Sequence, residues 1–428
     1  MSENLKRLSE LGVSIWLDDL SRKRLRTGDL QERIDKDYVV GVTTNPAIFS
    51  KAIGKGEDYT EQVRELAAAD ATVEDAIFAM IIDDVRKAAD VLTPIWERTG
   101  GQDGRVSIEV DPRFAAKTTE TIEQAQLLWD RVDRPNTMIK IPATEASLPA
   151  VTEATARGIS VNVTLIFSVP QYRKVIDAYM QGLETALERG VEITQIHSVA
   201  SFFVSRVDTL VDAKLDALGT PQAANLRSRL GVANARLAYE EYENSLTSDR
   251  WKALTAAGAN RQRPLWASTG VKDPKLPDTL YVDELAVQDT VNTMPEATLR
   301  AAAEQSQVHA DAVTMHYQQS HQYFEMLAEL GIDFDAVAAQ LLDEGVKKFE
   351  VAWNELLENV QAALTQAKQL WLDVLATEPV LACLELWADY LHVTKVAFAR
   401  GKWIGITPTG WAKLKPVAKA TSGCGAAW

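Results

Sequence analysis

Short apolar runs alternate with helical segments along most of this chain, and that alternation constrains the fold more tightly than any other feature. Val13-Ser14-Ile15-Trp16-Leu17 has a strand pattern, as do Tyr38 to Val42, Arg105 to Ile108 and the run around Lys140. Ile159 to Thr164, Ile193 to Val199, Pro264 to Ser268 and Thr290 to Thr293 continue the series. Helical spacing fills Leu20 to Ile34, much of Tyr59 to Arg98 with a break near Asp70-Ala71-Thr72, Arg113 to Trp129, Ser147 to Ala156, Val169 to Arg189 and Phe202 to Leu218. Strands of about five residues alternating with helices indicate a parallel α/β sheet. About eight such units in succession predict a closed (β/α)8 TIM barrel. Barrel strands are buried on both faces, which explains their near-continuous apolar character. Polar residues should then gather at the strand C-terminal ends, where barrel active sites lie. Asp18, Asn45, Glu109, Lys140, Asn162, Thr164 and Ser201 all sit at or just past such ends.

Two stretches depart from the repeat. Residues 220–258 form a charged, mostly helical insertion between strands six and seven, expected as a helical pair on the barrel rim. From Met294 to about Lys368 the pattern is long helix, amphipathic over Val346 to Leu364. Residues 1–368 are therefore expected to form the catalytic barrel domain. Residues 369–428 form a C-terminal extension with no assigned role, helical over Leu370 to Tyr390 and without clear period from Gly401 on.

Composition narrows the partners. The 428 residues carry a net charge of -15, which disfavours nucleic acid and anionic membrane but permits a small anionic substrate bound by local cations. The two cysteines, Cys383 and Cys424, support neither a disulfide framework nor a metal spacing. His309, His316 and His321 are not spaced as a helical metal pair. The N-terminus has no apolar signal core and no run of about 18 apolar residues occurs, so a soluble cytoplasmic protein is expected.

Lys140 is the odd residue out. It stands in Thr137-Met138-Ile139-Lys140-Ile141-Pro142, an apolar run that Pro142 ends. A lysine inside a short buried strand loses hydration, which favours its neutral form. A neutral amine attacks ketones and aldehydes to give a Schiff base. The competing reading is a lysine at a strand end, snorkelling its ammonium to water. Schiff-base chemistry needs proton transfers, and Asp18 and Glu109 are carboxylates at the ends of strands one and three. Asp18 with Asp19 could instead cap the helix that follows. Asn162 and Thr164, two apart on one strand, point the same way and could orient a water or substrate hydroxyls.

These segments together resemble the transaldolase family of class I, Schiff-base ketose-phosphate transferases. The matching pieces are Trp16-Leu17-Asp18, Gly41-Val42-Thr43-Thr44-Asn45-Pro46, Ser107-Ile108-Glu109-Val110-Asp111, Ile139-Lys140-Ile141-Pro142, Asn162-Val163-Thr164-Leu165-Ile166-Phe167 and Ser201-Phe202-Phe203-Val204-Ser205-Arg206. They follow the family's order, and the resemblance covers roughly residues 10 to 365. It implies a transferase with no metal or cofactor, acting on sugar phosphates as a monomer or homodimer. It implies Lys140 as the Schiff-base lysine and Asp18 as the acid/base at the donor C4 hydroxyl. Glu109 and Thr164 would hold the catalytic water. Asn45, Asn162 and Ser201 would bind the dihydroxyacetone part, and Arg206 the phosphate. Phe203 stands where the transferases carry Phe and the related fructose-6-phosphate aldolases carry Tyr. The strand-seven match is looser. Ser268 fits a phosphate-binding position, while Lys272 serves either phosphate or a solvated turn before Asp273-Pro274. The rivals are a class I aldolase and an inactive barrel that only binds sugar phosphates.

Overall fold

The computed structural model describes residues 2–54, 56–375, 395–399, 402–407 and 410–413. They fall into two compact units, residues 1–55 with 81–356, and residues 56–80 with 357–428.

The first unit is a closed barrel of eight parallel strands in sequential order. They are β1 (Val13–Leu17), β2 (Val39–Val42), β3 (Arg105–Glu109), β4 (Thr137–Pro142), β5 (Val161–Ile166), β6 (Ser198–Phe203), β7 (Gln262–Ala267) and β8 (Thr290–Met294). β1 pairs with both β2 and β8, which closes the ring and removes every sheet edge.

The sixth strand begins later than the apolar run Ile193 to Val199 suggested. Ile193 and Ile196 are buried outside the barrel wall, in a small cluster with Tyr179, Leu183, Trp251 and Leu254. Their apolar character serves helix packing rather than strand pairing. Asn260 Nδ2 fixes this loop by donating to the Thr194 and Ile196 carbonyls at 2.8 and 3.0 Å. The following helix accordingly starts at Ser205 instead of Phe202, and Ser201 lies inside β6.

Side chains alternate across each strand, so every second residue faces the barrel interior. Trp16, Met138, Val199, Leu265 and Val291 form an apolar middle layer within one buried cluster. Gly41 is required by that layer, since a Cβ there would fall 2.5 Å from Trp16 Cε2. Ser14, Arg105 and Arg263 lie toward the strand N-termini. Asp18, Glu109, Lys140 and Ser201 lie toward the C-termini, and Asn162, second in β5, is brought level with Lys140 by the strand register.

Residues 220–258 hold three helices, Pro221–Leu226, Leu230–Thr247 and Asp249–Ala256. The middle one contacts β6 and β7, and most of its residues are buried, so it forms part of the barrel's outer wall.

In the second unit Val63, Ala67, Val360, Leu364 and Ala367 are buried, and Lys368 pairs with Asp70 at 2.6 Å. A helix runs from Phe334 to Leu375, so it covers the start of the helix expected over Leu370 to Tyr390; residues 376–394, with Cys383, lie outside the described residues, as does Cys424. The stretch without clear period contains two strands of an antiparallel sheet in the order β11-β10-β9: β9 (Lys395–Ala399), β10 (Lys402–Thr407) and β11 (Gly410–Lys413). Alternating small and bulky residues in so short a run give only a weak strand signal.

Candidate active site

Strand register sets the level of the candidate site. Glu109 is opposite Lys140 on β3 and β4, Lys140 is opposite Asn162, and Pro142 is opposite Thr164. Lys140 is only 5% exposed, which removes the snorkelling alternative. Its Nζ donates to Glu109 Oε2 at 3.1 Å and to the Thr44 carbonyl at 3.0 Å. The Phe349 ring centroid lies 5.6 Å from the same nitrogen.

Asp18 is half-buried, and its Oδ1 accepts from Thr43 Oγ1 at 2.7 Å. It caps no helix. Ser21 caps Arg22–Arg26, and Asp19 pairs with Arg24. Burial pushes the Asp18 carboxyl above the ordinary range, against the pull of Lys140 and the Thr43 hydrogen bond. Burial also raises Glu109, opposed by the charge and hydrogen bond of Lys140. Two acids beside one amine, both made easier to protonate, are suited to passing protons.

Ser201 Oγ donates to Asn162 Oδ1 at 2.7 Å, and Asn162 Nδ2 donates to Ser107 Oγ at 3.0 Å. The two serine hydroxyls hold the amide between β3 and β6. Thr164 Oγ1 is buried without a protein hydrogen-bond partner. Next to it, Leu165 has φ +61° at an irregularity in the β5–β6 ladder. A positive φ is unusual for leucine and marks a local re-aiming of the strand end. Asn45 Oδ1 accepts from Ile48 N at 3.1 Å, so this residue caps its own helix while remaining partly exposed.

Arg206 stands one turn past β6, its guanidinium carbon 4.9 Å from the Phe203 ring centroid. Its Nη1 is buried without a partner. Burial lowers its pKa, while Asp18, Glu109 and Glu344 hold it up. Gly345 sits so close that a Cβ would lie 3.0 Å from Leu165 and 3.6 Å from Arg206 Nη1. Ser268, with φ +56°, shares a 2.9 Å hydrogen bond with Ser205 Oγ. Lys272 is exposed, and no hydrogen bond joins it to the other site residues among those described.

Sequence reasoning passed over Phe349, Thr43 and the Thr44 carbonyl. Phe349 lies in the amphipathic stretch Val346 to Leu364, where an apolar face signals packing and not which end of the barrel it covers. His197 precedes β6 at the opposite end from Lys140. Among the described residues no group of three or more His, Cys, Asp and Glu is arranged to hold a metal ion, and no helix is long and apolar enough to cross a membrane.

Fold and site together define a (β/α)8 barrel enzyme with a buried lysine between two carboxylates at its C-terminal mouth. The family model described as transaldolase/fructose-6-phosphate aldolase matches residues 15–360. Transaldolase 2 of Streptomyces avermitilis is 57% identical over 364 residues, which is 85% of this chain and 98% of that protein. The transaldolase of Kocuria rhizophila is 58% identical over 368 residues, 86% of this chain and 100% of that protein. That of Mycobacterium bovis is 56% identical over 367 residues, 86% and 98%. The chain belongs to the transaldolase/fructose-6-phosphate aldolase family.

Proposed function

We propose that this chain transfers a dihydroxyacetone unit between sugar phosphates through a Schiff base on Lys140, in the non-oxidative pentose phosphate pathway. The donor is sedoheptulose 7-phosphate or fructose 6-phosphate, and the acceptor is erythrose 4-phosphate or glyceraldehyde 3-phosphate. The observation that carries this reading is the buried Lys140 Nζ, 3.1 Å from Glu109 Oε2.

Glu109 takes a proton from the ammonium, and the neutral amine attacks the donor C2 carbonyl. The carbinolamine loses water to give the imine. Asp18 then takes the C4 hydroxyl proton as the C3–C4 bond breaks, and its electron pair forms the enamine while the aldose phosphate departs. The enamine carbon attacks the acceptor aldehyde, Asp18 returns its proton to the new hydroxyl, and water hydrolyses the imine. Thr164 Oγ1, buried without a protein partner, holds that water with Glu109. Asn45, Asn162 and Ser201 bind the three-carbon unit. Arg206, Ser268 and Lys272 receive the phosphate, a guanidinium suiting that group well. Phe349 covers the amine with apolar surface and shelters the enamine from protonation by bulk water, while Phe203 packs against the Arg206 guanidinium. The reaction runs in the cytoplasm, in a monomer or homodimer, with no nucleic acid or membrane partner.

An aldolase shares the imine and differs only in what quenches the enamine. The test compares fructose 6-phosphate alone with fructose 6-phosphate plus erythrose 4-phosphate. Transfer to the acceptor should far outrun release of free dihydroxyacetone. Release at the same rate with and without acceptor would make the chain a lyase.

A further inference from the structure

Two buried hydroxyls stand in series behind the acid that serves the C4 hydroxyl. Thr293 Oγ1, on β8, lies 2.5 Å from Thr43 Oγ1, which follows β2. Thr43 Oγ1 donates in turn to Asp18 Oδ1 at 2.7 Å. Backbone bonds tie the three strand ends together, since Thr43 N donates to the Leu17 carbonyl at 2.9 Å and Asp18 N to the Met294 carbonyl at 2.8 Å. Thr269, just past β7, holds the far end, its hydroxyl 3.2 Å from the Thr293 carbonyl and 3.0 Å from Asn292 Oδ1. A β-branched side chain on so constrained a backbone has little freedom to turn away. None of the transfer steps above uses Thr293.

The chain has a direction. A hydroxyl carries one proton, and an ionised carboxylate only accepts. While Asp18 is ionised, the Thr43 proton is committed to it, so the 2.5 Å contact can only be Thr293 donating to Thr43. Thr293 Oγ1 makes no other hydrogen bond among the described residues. Each bond in such a series polarises the next, so the second hydroxyl strengthens the first one's hold on the carboxylate. Protonation of Asp18 removes that fixed polarity. The series therefore favours the ionised acid.

That bias bears on the reaction. Burial raises the Asp18 carboxyl, and the neighbouring charges of Asp19 and Glu109 add to this, against Lys140 on β4 and Arg206 past β6. Lys140 loses its charge when its amine turns nucleophile, whereas the hydroxyls stay in place. We propose that Thr293 is a positioning residue for the transfer reaction, aiming the Thr43 proton at Asp18 and so keeping that acid ready to take the C4 hydroxyl proton. The proposal rests on the reading of Asp18 as the base at C4.

The test follows carbon-carbon cleavage and imine formation separately in the full chain. Cleavage is the single-turnover burst of glyceraldehyde 3-phosphate from fructose 6-phosphate. Imine formation is borohydride trapping of dihydroxyacetone, which has no C4 and cannot be cleaved. Thr293→Val keeps the shape and removes the hydroxyl. It should slow the burst about five- to tenfold, move the acid limb of kcat upward by about half to one pH unit, and leave trapping at the parental rate. Thr293→Ser restores the hydroxyl and should recover both the burst and the limb. Thr43→Val cuts the series next to Asp18 and should slow the burst at least as much, with less than about twofold further loss when Thr293→Val is added, because the two act as one unit. Thr293→Ala replaces Thr293→Val should the valine variant fail to fold. A parental burst and acid limb in Thr293→Val overturn the proposal, and so does a slowed burst that Thr293→Ser leaves uncorrected or that comes with equally slowed trapping. Failure of the Lys140 reading shows in the parent, as no trapped adduct, whereas failure of the series shows only in the variants.

Discussion

Ser14 and Asp18 leave the same face of β1 four residues apart, and Arg105 and Glu109 do the same on β3, yet the two ends they build are opposite in kind. At the N-terminal mouth Asp103 and Arg263 are buried, bonded to each other and to Ser14, and bear on no reacting group. At the C-terminal mouth burial works against the charges: Asp18 and Glu109 are both pushed toward protonation, and Thr164 Oγ1 and Arg206 Nη1 are left without protein partners. One barrel thus places a hydrogen-bonded Asp103–Arg263–Ser14 network at one end and open hydrogen-bonding atoms around a buried lysine at the other, separated by the apolar layer of Trp16, Met138, Leu265 and Val291. Bonds left open at a mouth are where a ligand can act, at some expense in stability.

Substitutions at the two ends should therefore fail in different ways. The largest effect is expected for Lys140→Ala, which should lower kcat at least about 10⁴-fold in a transfer assay, since the nucleophile itself is gone. Next comes Asp103→Asn at the other end, where Arg263 loses its buried counter-charge. Its free energy of unfolding in urea should fall by about 3 kcal/mol while kcat stays within about twofold. An Asp103→Asn protein that is stable but inactive would break the division between the ends.

Arg206→Gln should lower kcat/KM for phosphorylated substrates about 10- to 100-fold, the value of a charge-assisted hydrogen bond, and matter little for unphosphorylated dihydroxyacetone donors. The smallest effect sharpens the comparison through pH. Folding raises the Asp18 pKa, so its contribution to stability is fully present below the unfolded value, near pH 4, and is lost as pH rises through the folded one. Asp18→Asn carries no charge. It should unfold at a higher temperature than the parent at neutral pH, with the gap closing in acid, as read by calorimetry. A parent that is the more stable of the two at neutral pH would mean that Asp18 is not held against its preference.

The placement of residues at the C-terminal mouth was largely legible in the chain because those residues are anomalies. Lys140 interrupts an apolar run, and Asp18 and Glu109 end others, so local pattern alone places them at strand tips. Partners contributed by distant segments were not legible. Phe349 reaches Lys140 from a helix more than two hundred residues on, and its spacing records only that one face is buried. The other mouth depends entirely on closure, since the Asp103–Arg263 pair spans 160 residues. The start of β6 was displaced because Ile193 and Ile196 are as apolar as strand residues but bury against helices. The role of residues 220–258 as outer wall likewise depends on which strands their middle helix meets.

The most direct measurement is borohydride trapping. Fructose 6-phosphate and borohydride added together should leave a reduced three-carbon adduct on the peptide that contains Lys140, and none on Lys140→Ala. Transfer that proceeds with no trapped adduct, or an adduct mapped to another lysine, would contradict the assignment of that buried amine as the nucleophile.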